Sequence, residues 1–576
     1  MKTIVVRPDL CMGCKNCQFA CMVAHSEKKS AYFLDLNDPG NQPRNTVLAG
    51  DDGAPAPLTC RHCQDAPCVL SCPSGAMYRD PDSGLVLHYK EKCAGCWMCV
   101  MSCPYGLIAP DSRRQTAVKC DFCMGNERPY CVDYCPTGAL SLEETKGEAG
   151  QTESGKEELK KTTKYLIIGA SAAGLACAAT IREHDPLGPI TVIAEDRLVY
   201  SRCLLKDLIS GTRAPESLNF VGENFFAKRG IEFLRCERVT AVHPQQKMVV
   251  TQDGWKIFYD KLLIATGAKP VLPPIENLSR GKQVFTLRNL DDAEAIIYSV
   301  GPKKKVVILG GGLVGLEAAE ALLSQSVKIT IIEQAERILH QQLDDFAASR
   351  YVELFSSHGV EIITGKRATK VELDDNGNVL GVGLDDQGYL PCNLIIVATG
   401  VKPEISFLAD TGIAVGKGII VDKQMRTSIP DIYAAGDVCE SLDILTGRVS
   451  LTPIWPAAVQ QGRVAGMNMV GKTVGIDGTF AHQYTMSFFG LPTISFGWPE
   501  PPEDGCSVEI DVSPDYYKKV IYKGGRLLGA IFQGDLAGAG TFGALISNKI
   551  DISNQHGKLL ETNYTYYLTP ENVVRN

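Results

Sequence analysis

The chain has 576 residues, enough for roughly three to five domains, and its 45% apolar and 22% charged residues are ordinary for a folded protein. The net charge of −8 at pH 7 argues against a nucleic-acid partner. No stretch approaches the roughly 18 consecutive apolar residues of a membrane span, and the first residues hold neither an apolar signal core nor twin arginines. We therefore expect a cytoplasmic protein.

Cysteine is concentrated at the start of the chain, where sixteen of the 22 cysteines fall within the first 135 residues. They form four blocks of four. Two blocks have C-x-x-C-x-x-C spacing followed by a fourth cysteine: Cys11, Cys14, Cys17 and Cys21, and Cys93, Cys96, Cys99 and Cys103. The other two blocks are more widely spaced: Cys60, Cys63, Cys68 and Cys72, and Cys120, Cys123, Cys131 and Cys135.

The spacing of these blocks indicates iron–sulfur ligands. Three thiolates in C-x-x-C-x-x-C wrap one face of a 4Fe–4S cluster, while the following cysteine is free to bind a different cluster. Zinc is the alternative, because paired C-x-x-C is also zinc-ribbon spacing, but zinc sites do not require four such blocks in succession. Thiolates at this density need a reducing compartment, which excludes a disulfide framework and points to an anaerobe.

A polar linker follows the cysteine blocks. From residue 145 to residue 163 the chain is mostly Gly, Glu, Lys, Ser and Thr, with almost no apolar residue. This composition predicts a solvated tether with some helix around residues 157–161. The linker marks the clearest boundary between two modules.

The next segment has the pattern of a dinucleotide-binding βαβ unit. A short buried strand at residues 165–168 turns through a small-residue loop into a helix at residues 175–181, and a second strand follows at Ile190–Ala194. Serine replaces the middle glycine of the loop, but it is small enough to let a pyrophosphate approach. The loop positions and the acid that ends the second strand are Gly169, Ser171, Gly174 and Glu195.

A second βαβ pattern is more complete. A strand at Lys305–Leu309 leads through a glycine loop into a helix that runs to about Leu323, and the next strand is Lys328–Ile332. A helix N-terminus offers free N–H groups to a pyrophosphate, and the terminal acid binds the ribose hydroxyls. The acid would repel a 2′-phosphate, and no cation follows it, so the pattern favours NAD over NADP. The residues concerned are Gly310, Gly312, Gly315 and Glu333.

Two dinucleotide folds in one module suggest one bound flavin and one exchangeable nicotinamide. Two Ala-Thr-Gly segments, each after an apolar run, are predicted as the strand–turn elements that close the two nucleotide domains. Their last residues are Thr266 and Gly267 in one segment, and Thr399 and Gly400 in the other.

Residues from about 164 to 478 resemble the pyridine-nucleotide–disulfide oxidoreductases that bind FAD and NAD(P)H. The resemblance covers both glycine loops, both Ala-Thr-Gly segments and the Ala-Gly-Asp segment that ends at Asp437. The Tyr-Ser-Arg segment ending at Arg202, the Trp-Pro-Ala-Ala segment beginning at Trp455 and the C-terminal residues 525–530 are similar to NADH–rubredoxin reductases and nitrite-reductase flavoproteins.

This resemblance implies a glutathione-reductase-like fold in which Asp437 lies against the ribityl chain of the flavin. The residues that it assigns to FAD are Gly169, Ser171, Gly174, Glu195, Arg202, Thr266, Gly267, Gly436 and Asp437. Those that it assigns to NAD are Gly310, Gly312, Gly315, Glu333, Thr399 and Gly400.

The first 144 residues resemble the four-cluster ferredoxin subunits of molybdopterin and tungstopterin enzymes. Residues 96–101 and 104–106 are most similar to the branch that serves CO dehydrogenase and tungsten aldehyde oxidoreductase. The family pattern implies crossed ligation, in which each fourth cysteine joins another block. The implied sets are Cys11, Cys14, Cys17 with Cys135; Cys120, Cys123, Cys131 with Cys21; Cys60, Cys63, Cys68 with Cys103; and Cys93, Cys96, Cys99 with Cys72.

The fold class is therefore expected to be multidomain. An α+β, bacterial-ferredoxin-like polyferredoxin precedes an α/β flavoprotein with two dinucleotide-binding domains, and a small α+β domain ends the chain. The expected domains are a polyferredoxin at 1–144, a linker at 145–163, an FAD-binding domain at 164–282 and 405–478, an NAD-binding domain at 283–404 and a C-terminal interface domain at 479–576.

Cys203 is the one cysteine outside the blocks that is a candidate for catalysis. It stands where coenzyme A disulfide reductases and NADH peroxidases carry a redox thiol beside the flavin. The rubredoxin-reductase subgroup, which the preceding Tyr-Ser-Arg resembles, has proline at this position and needs no thiol. Cys177 is predicted to pack in the core, and the remaining cysteines have no nearby partner in sequence.

The two modules together predict a ferredoxin–NAD⁺ oxidoreductase with four 4Fe–4S clusters, FAD and NAD(H). NADH exchanges two electrons and a cluster exchanges one, so FAD, which does both, must lie between them. The expected partner is the catalytic subunit of a CO dehydrogenase or tungsten aldehyde oxidoreductase, whose low potential favours transfer towards NAD⁺. Two alternatives stay open. The chain could be an NADH-dependent reductase of a disulfide, polysulfide or peroxide that uses Cys203, or its N-terminal part could be a docking and assembly module. A homo-oligomer is also possible.

Overall fold

The structure, a computed structural model, describes residues 2–26, 29, 31, 34–35, 41–49, 55–64, 66–81, 83–111, 114–124, 126, 128–144, 160–222, 224–553 and 559–561. The chain divides into two compact units. One unit combines residues 1–151 with residues 482–576, and the other holds residues 152–481. Within the described ranges, no helix is long and apolar enough to cross a membrane.

The N-terminal module consists of two-stranded antiparallel sheets and short helices that carry cysteines. Its first strand pairs with its last, which closes the module. Lys15 and Trp97 occupy the same position in the first and third cysteine blocks, and both adopt the left-handed conformation, with φ of 59° and 60°. A helix begins directly after each of them, so the two blocks turn in the same way.

The strand pairs of this module are Lys2–Val6 with Leu140–Glu144, Asn45–Ala49 with Pro55–Thr59, Met77–Arg79 with Val86–His88, and Ala109–Asp111 with Thr116–Val118. Its helices are Asn16–His25, Pro67–Leu70, Met98–Ser102 and Tyr130–Asp133.

The C-terminal segment forms a five-stranded antiparallel sheet and one helix, Ala539–Ser547, in the same unit as the cysteine blocks. This helix packs against Met98–Ser102. A Cβ on Gly540 would collide with the carbonyl oxygen of Cys103, so only glycine permits the approach. Thr485 Oγ1 also donates a hydrogen bond of 2.7 Å to the carbonyl oxygen of Cys96. The strands, in sheet order, are Gln483–Phe488, Leu491–Gly497, Arg526–Gln533, Tyr517–Lys523 and Ser507–Val512.

The first domain of the second unit is built on a seven-stranded sheet. Five of its strands are parallel, in the order Ile231–Arg235, Ile190–Ala194, Lys160–Ile168, Lys256–Ile264 and Ile432–Ala434. The hairpin Val239–His243 and Met248–Thr251 extends the sheet. The helices are Ala172–His184, Leu205–Ile209, Phe225–Lys228 and Trp455–Met469. The first and last of these pack together at Gly462, where a Cβ would collide with the carbonyl oxygen of Ala173.

The second domain of this unit has a five-stranded parallel sheet, in the order Val284–Thr286, Leu394–Val397, Lys305–Leu309, Lys328–Ile332 and Val360–Ile363. Its helices are Leu290–Ser299, Leu313–Leu323 and Asp345–Ser357. The meander Ala368–Leu373, Val379–Leu384 and Tyr389–Pro391 covers part of its core. Two crossings between the domains, Ala268–Pro270 and Val401–Pro403, pair antiparallel, and a small sheet contains Ile419–Ile420, Cys439–Leu442 and Val449–Leu451.

Several predicted boundaries differ from the structure. The first strand begins at Lys160, not at residue 165, because residues 160–163 pair with residues 256–259. The linker predicted for 145–163 therefore ends earlier; its residues 145–159, with most of the predicted helical stretch, lie outside the described residues. The helix predicted for residues 175–181 is Ala172–His184, since Gly174 lies inside its first turn.

Candidate active site

The first glycine loop joins strand Lys160–Ile168 to helix Ala172–His184, and backbone contacts determine its residues. Gly169 has a φ of 114°, and a Cβ there would collide with the carbonyl oxygen of Ala265. A Cβ on Gly174 would collide with the carbonyl oxygen of Gly169. Ser171 precedes the helix with an extended backbone and makes no side-chain cap, so the first N–H groups of the helix are free to bind an anion.

A cavity of about 400 Å³ lies at this helix N-terminus. Every residue that the sequence assigns to FAD lines it except Gly174, which is packed under the loop. The cavity-lining residues of that set are Gly169, Ser171, Glu195, Arg202, Thr266, Gly267, Gly436 and Asp437. Free helix N–H groups, a glycine-lined wall and a carboxylate at the strand end fit the pyrophosphate and ribose of a dinucleotide.

Two arginines fix the acidic groups around this cavity. Arg288 donates a hydrogen bond of 2.7 Å to Asp437 Oδ2 and one of 2.9 Å to the carbonyl oxygen of Ala268. Arg202 donates to the carbonyl oxygen of Arg288 at 2.7 Å and to Asp196 Oδ2 at 3.2 Å. The sequence did not single out Arg288, because nothing in its local pattern distinguishes it from any arginine before a helix.

Glu333, the acid predicted to bind ribose, lies beside the second glycine loop. Its carboxylate is buried and accepts hydrogen bonds from the N–H groups of Gly311 at 2.7 Å and Ala335 at 2.8 Å. Gly310 has a φ of 110°, and a Cβ there would lie 2.5 Å from the carbonyl oxygen of Ala398. Nothing lies within 4 Å of the position of a Cβ on Gly312, so a pyrophosphate has room there.

The remaining residues predicted to bind NAD have structural roles in the loop. A Cβ on Gly315 would collide with the carbonyl oxygen of Gly310, which repeats the packing of the first loop. Thr399 Oγ1 donates a hydrogen bond of 3.0 Å to the carbonyl oxygen of Val271, and Gly400 has a φ of 111°.

The hydroxyl of Thr266 makes the equivalent bond, of 2.9 Å, to the carbonyl oxygen of Glu404. The two threonines therefore hold the paired crossings between the domains.

Cys203 lies in the turn Arg202–Leu204 and lines the same cavity. Burial, together with the nearby carboxylates of Glu317 and Asp437, raises the pKa of its thiol to about 12. Because the thiolate is the reactive form, the position suits a redox thiol while the electrostatic surroundings oppose one.

A pair of opposite charges near Cys203 was missed in the sequence. Burial acts to lower the pKa of Lys206, but the carboxylates of Asp207 and Glu317 outweigh burial and raise it. Burial raises the pKa of Glu317 to about 7, against the effect of Lys206. Lys206 follows Cys203 closely, but Glu317 comes from the helix after the second glycine loop. Only the fold brings the two together.

The structure brings cysteines of different N-terminal blocks together. Cys11, Cys14, Cys17 and Cys135 line one cavity, and Cys60, Cys63, Cys68 and Cys103 line another. Burial raises the pKa of the Cys99 thiol, and its neighbours Cys72, Cys96 and Cys93 raise it further. Burial likewise raises the pKa of Cys131, with Cys21 and Cys123 adding to it. Burial also raises the pKa of Cys120, and Cys60 and, to a smaller extent, Cys21 add to this rise.

These groups fit iron–sulfur clusters by the chemistry of their donors. Each of the two cavities offers four sulfur atoms, three from one block and one from another. Burial raises the pKa of the Cys17 thiol to about 11 and that of Cys103 to about 11, so without a metal these thiols are protonated. A bound metal removes those protons and supplies the partner that the buried sulfur needs.

The other cysteines are spread through the chain. Cys177 and Cys439 are fully buried, and the Cys177 thiol contacts the sulfur of Met469 at 3.6 Å, as expected for a core position. Cys392 lies in the core of the second sheet domain, while Cys236 is exposed and Cys506 partly so.

Comparison with known proteins finds family matches to the N-terminal cysteine-rich region, the unit with two dinucleotide-binding domains and the C-terminal sheet. Residues 163–462 match the family described as pyridine nucleotide-disulphide oxidoreductase. Residues 54–145 match a 4Fe-4S dicluster domain, and residues 484–550 match the rubredoxin NAD+ reductase C-terminal domain.

Among the relatives is the NADH-dependent phenylglyoxylate dehydrogenase subunit epsilon of Aromatoleum evansii, which is 36% identical over 395 residues, covering 68% of this chain and 93% of the relative. A NAD-dependent persulfide reductase from A. fulgidus has a similar structure, with a TM-score of 0.63 and 29% identity over 69% of this chain and 79% of that one. NADH:rubredoxin oxidoreductase from Clostridium acetobutylicum has a TM-score of 0.57 and 27% identity, covering 69% of this chain and 98% of its own.

The fold and the site thus define an FAD-dependent NADH oxidoreductase joined to a 4Fe–4S ferredoxin region. The chain belongs to the pyridine nucleotide-disulphide oxidoreductase family.

Proposed function

We propose that four 4Fe–4S clusters carry electrons between a low-potential partner enzyme and FAD, which exchanges hydride with NAD(H). The observation that carries this proposal is the pair of cavities that are each lined by four cysteines from two different blocks. A zinc ribbon would pair neighbouring C-x-x-C motifs, whereas each of these two cavities has its fourth cysteine from a distant block.

Bound FAD would supply the step between one-electron and two-electron transfer. The chain's own residues position the two dinucleotides. The helix N-terminus after Ser171 would hold the FAD pyrophosphate, and the hydrogen bond from Arg288 holds Asp437 at the wall of the cavity. Glu333, fixed by two backbone N–H groups, would accept the ribose hydroxyls of NAD and repel a 2′-phosphate.

The partner that we propose is an enzyme oxidising a small carbonyl compound, of the CO dehydrogenase or tungsten aldehyde oxidoreductase kind. The relative from Aromatoleum evansii, which is named as a subunit of an NADH-dependent phenylglyoxylate dehydrogenase, supports a dehydrogenase partner. Electrons from such a donor would flow towards NAD⁺.

Metal analysis of the anaerobically purified and reconstituted full-length chain tests the proposal. Four clusters require about sixteen iron atoms and one FAD per chain, and NADH should reduce the clusters in an anaerobic spectrum. Eight iron atoms or fewer after full reconstitution, or zinc in their place, would contradict the four-cluster assignment.

One observation favours a second candidate function, the reduction of a persulfide, disulfide or peroxide. Cys203 lines the cavity proposed for FAD, and the persulfide reductase from A. fulgidus is similar in structure. Against it stands the pKa of the Cys203 thiol, which burial raises to about 12.

The variant Cys203→Ser separates the two functions. Electron transfer through FAD needs no thiol, so NADH-driven reduction of the clusters should stay within about twofold of the wild type. A thiol reductase would lose all turnover of disulfide or peroxide, because serine forms neither a disulfide nor a sulfenate. Cys236→Ser, at an exposed cysteine that does not line the cavity, is the matched control.

A further inference from the structure

Lys119 is a buried cation beside the cysteine groups. Lys119 is only 3% exposed, and its Nζ donates hydrogen bonds to the carbonyl oxygens of Val86 at 2.6 Å and Cys120 at 2.8 Å. In the part of the chain that the structure describes, no carboxylate forms an ion pair with it. A buried charge without a counter-charge is strongly destabilising, so an anion is expected near this ammonium group.

The cavity that Lys119 lines is the one formed by Cys60, Cys63, Cys68 and Cys103. A 4Fe–4S cluster held by four thiolates has a net negative charge, and reduction adds another electron to it. The cluster proposed for this site would therefore be the counter-ion of Lys119. A fixed cation stabilises the more negative, reduced form most, because the attraction grows with the charge on the cluster.

His62 contributes a second donor to the same cavity. Its ring is 3% exposed, and Nδ1 accepts a hydrogen bond of 3.0 Å from the N–H of Val86. Since Nδ1 is the acceptor, Nε2 carries the proton. This Nε2 is buried and has no hydrogen-bond partner within the described residues. A buried N–H group needs an acceptor, and a cluster sulfur in this cavity would provide one.

Two of the other three cysteine groups have weaker or compensated charges nearby, although Lys119 also contacts Cys120 of the second of them. Lys15, which lines the cavity of Cys11, Cys14, Cys17 and Cys135, is exposed, so water screens its charge. Near Cys21, Arg44 and His25 both pair with the carboxylate of Asp121, at 2.6 and 2.8 Å. Hydrogen bonds to the sulfurs and local charge are among the terms that set a cluster's reduction potential.

We propose that the cluster held by Cys60, Cys63, Cys68 and Cys103 has the highest reduction potential of the four, set by Lys119 and His62. The proposal rests on the four-cluster function proposed above. This cluster takes up the first electron and keeps it while the other clusters are oxidised. The chain thereby holds one electron in reserve for the two-electron reduction of NAD⁺.

An anaerobic redox titration of the reconstituted full-length chain, followed by electron paramagnetic resonance, tests the proposal. The signal that is lost or altered in Cys60→Ser belongs to this site, and it should be the first to appear on reduction. In Lys119→Met the equilibrium between its reduced and oxidised forms should shift at least tenfold towards oxidised, which is about 59 mV for one electron.

Three further variants complete the test. Lys119→Arg keeps the positive charge, so the equilibrium constant between the reduced and oxidised forms of this cluster should stay within about threefold of the wild-type value. His62→Leu removes the donor and should shift the midpoint in the same direction by less than Lys119→Met. Lys15→Met, the same substitution at an exposed lysine between two ligands, should leave this signal unchanged.

The outcomes separate this proposal from the one on which it rests. A wild-type chain without a cluster at these cysteines overturns both. A wild-type chain with full iron content whose signal from this site appears last, or does not move in Lys119→Met, overturns only the assignment of the highest potential.

Discussion

The two units of the molecule form their sites by opposite means. In the flavoprotein unit, buried parallel strands such as Ile190–Ala194 build a core, and the cavity lies where their connecting loops meet. In the N-terminal module the strands have three to five residues, and cysteines occupy much of the interior, among them Cys17 and Cys131 in its apolar cluster. The first site is therefore a consequence of a fold, whereas the second is part of what holds its fold together.

Removal of iron should produce the largest difference between the two units. Anaerobic chelation should unfold the N-terminal module, because buried thiols lose the metal that links blocks distant in sequence. The flavoprotein unit should keep its bound FAD, since its core contains none of these ligands. Near-ultraviolet circular dichroism, limited proteolysis and flavin absorbance measure the two units separately. Simultaneous loss of FAD and of the N-terminal fold would show that the two units are not independent.

The next effect concerns the backbone of the second glycine loop. Gly310→Ala should lower the affinity for NADH at least tenfold, because the new methyl group would lie 2.5 Å from the carbonyl oxygen of Ala398, in a conformation with φ of 110°. FAD content should not change. Titration of NADH under anaerobic conditions measures the affinity. Gly301→Ala, where nothing lies within 4 Å, is the matched control, and an unchanged affinity in Gly310→Ala would refute this role for the loop.

A smaller effect is expected from the acid that selects the nicotinamide nucleotide. The wild type should strongly prefer NADH, and Glu333→Ala should reduce that preference about tenfold by removing repulsion of the 2′-phosphate. Steady-state dye reduction with NADH and NADPH gives kcat/KM for each. Glu336→Ala, at an exposed acid three residues later, should keep the preference. Equal wild-type efficiency with the two nucleotides would show that Glu333 does not select.

The smallest effect is a pH dependence of stability in the flavoprotein unit. Burial raises the pKa of Glu317 from 4.5 to about 7, so the folded state binds its proton more tightly than the unfolded state does. Its stability contribution is therefore present below about pH 4.5 and is lost as pH rises towards 7. Glu317→Gln should become more stable than the wild type between pH 5 and pH 8, by about 1–2 kcal/mol in the free energy of unfolding.

Urea unfolding at several pH values measures this difference. Glu353→Gln, at an exposed acid of another helix, should show no such dependence. If the difference in the free energy of unfolding between Glu317→Gln and the wild type does not change with pH, the charge of Lys206 fully compensates the burial of the Glu317 carboxylate, and the prediction is wrong.

The sequence predicted those elements whose ends are determined by a local pattern of residues. The strands Lys305–Leu309 and Lys328–Ile332 have the predicted bounds, because apolar runs that end at a glycine loop or an acid mark both ends. The start of helix Ala172–His184 was wrong, since a glycine inside the first turn was taken as part of the loop. Residues such as Arg288 and Glu317 were not predicted, because their roles depend on contacts with segments remote in the sequence.

The role of Lys119 in the N-terminal module could not be predicted from the sequence either. In the sequence it is one lysine beside a cysteine, and only the fold reveals that it is buried against the carbonyl oxygen of Val86. The packing of helix Ala539–Ser547 on Met98–Ser102 was not predicted either, since the sequence indicated a C-terminal interface domain but not the surface that it contacts.

The packing of Gly540 against Cys103 has a consequence for biosynthesis. The ribosome releases the cysteine blocks first, but the helix that covers Met98–Ser102 emerges more than 400 residues later. At about 5–20 residues per second, that delay is roughly 20–80 s. For this time the nascent chain presents the third cysteine block without its covering helix, and cluster assembly machinery has open access to it. Once the helix Ala539–Ser547 has been synthesised, it covers this part of the module.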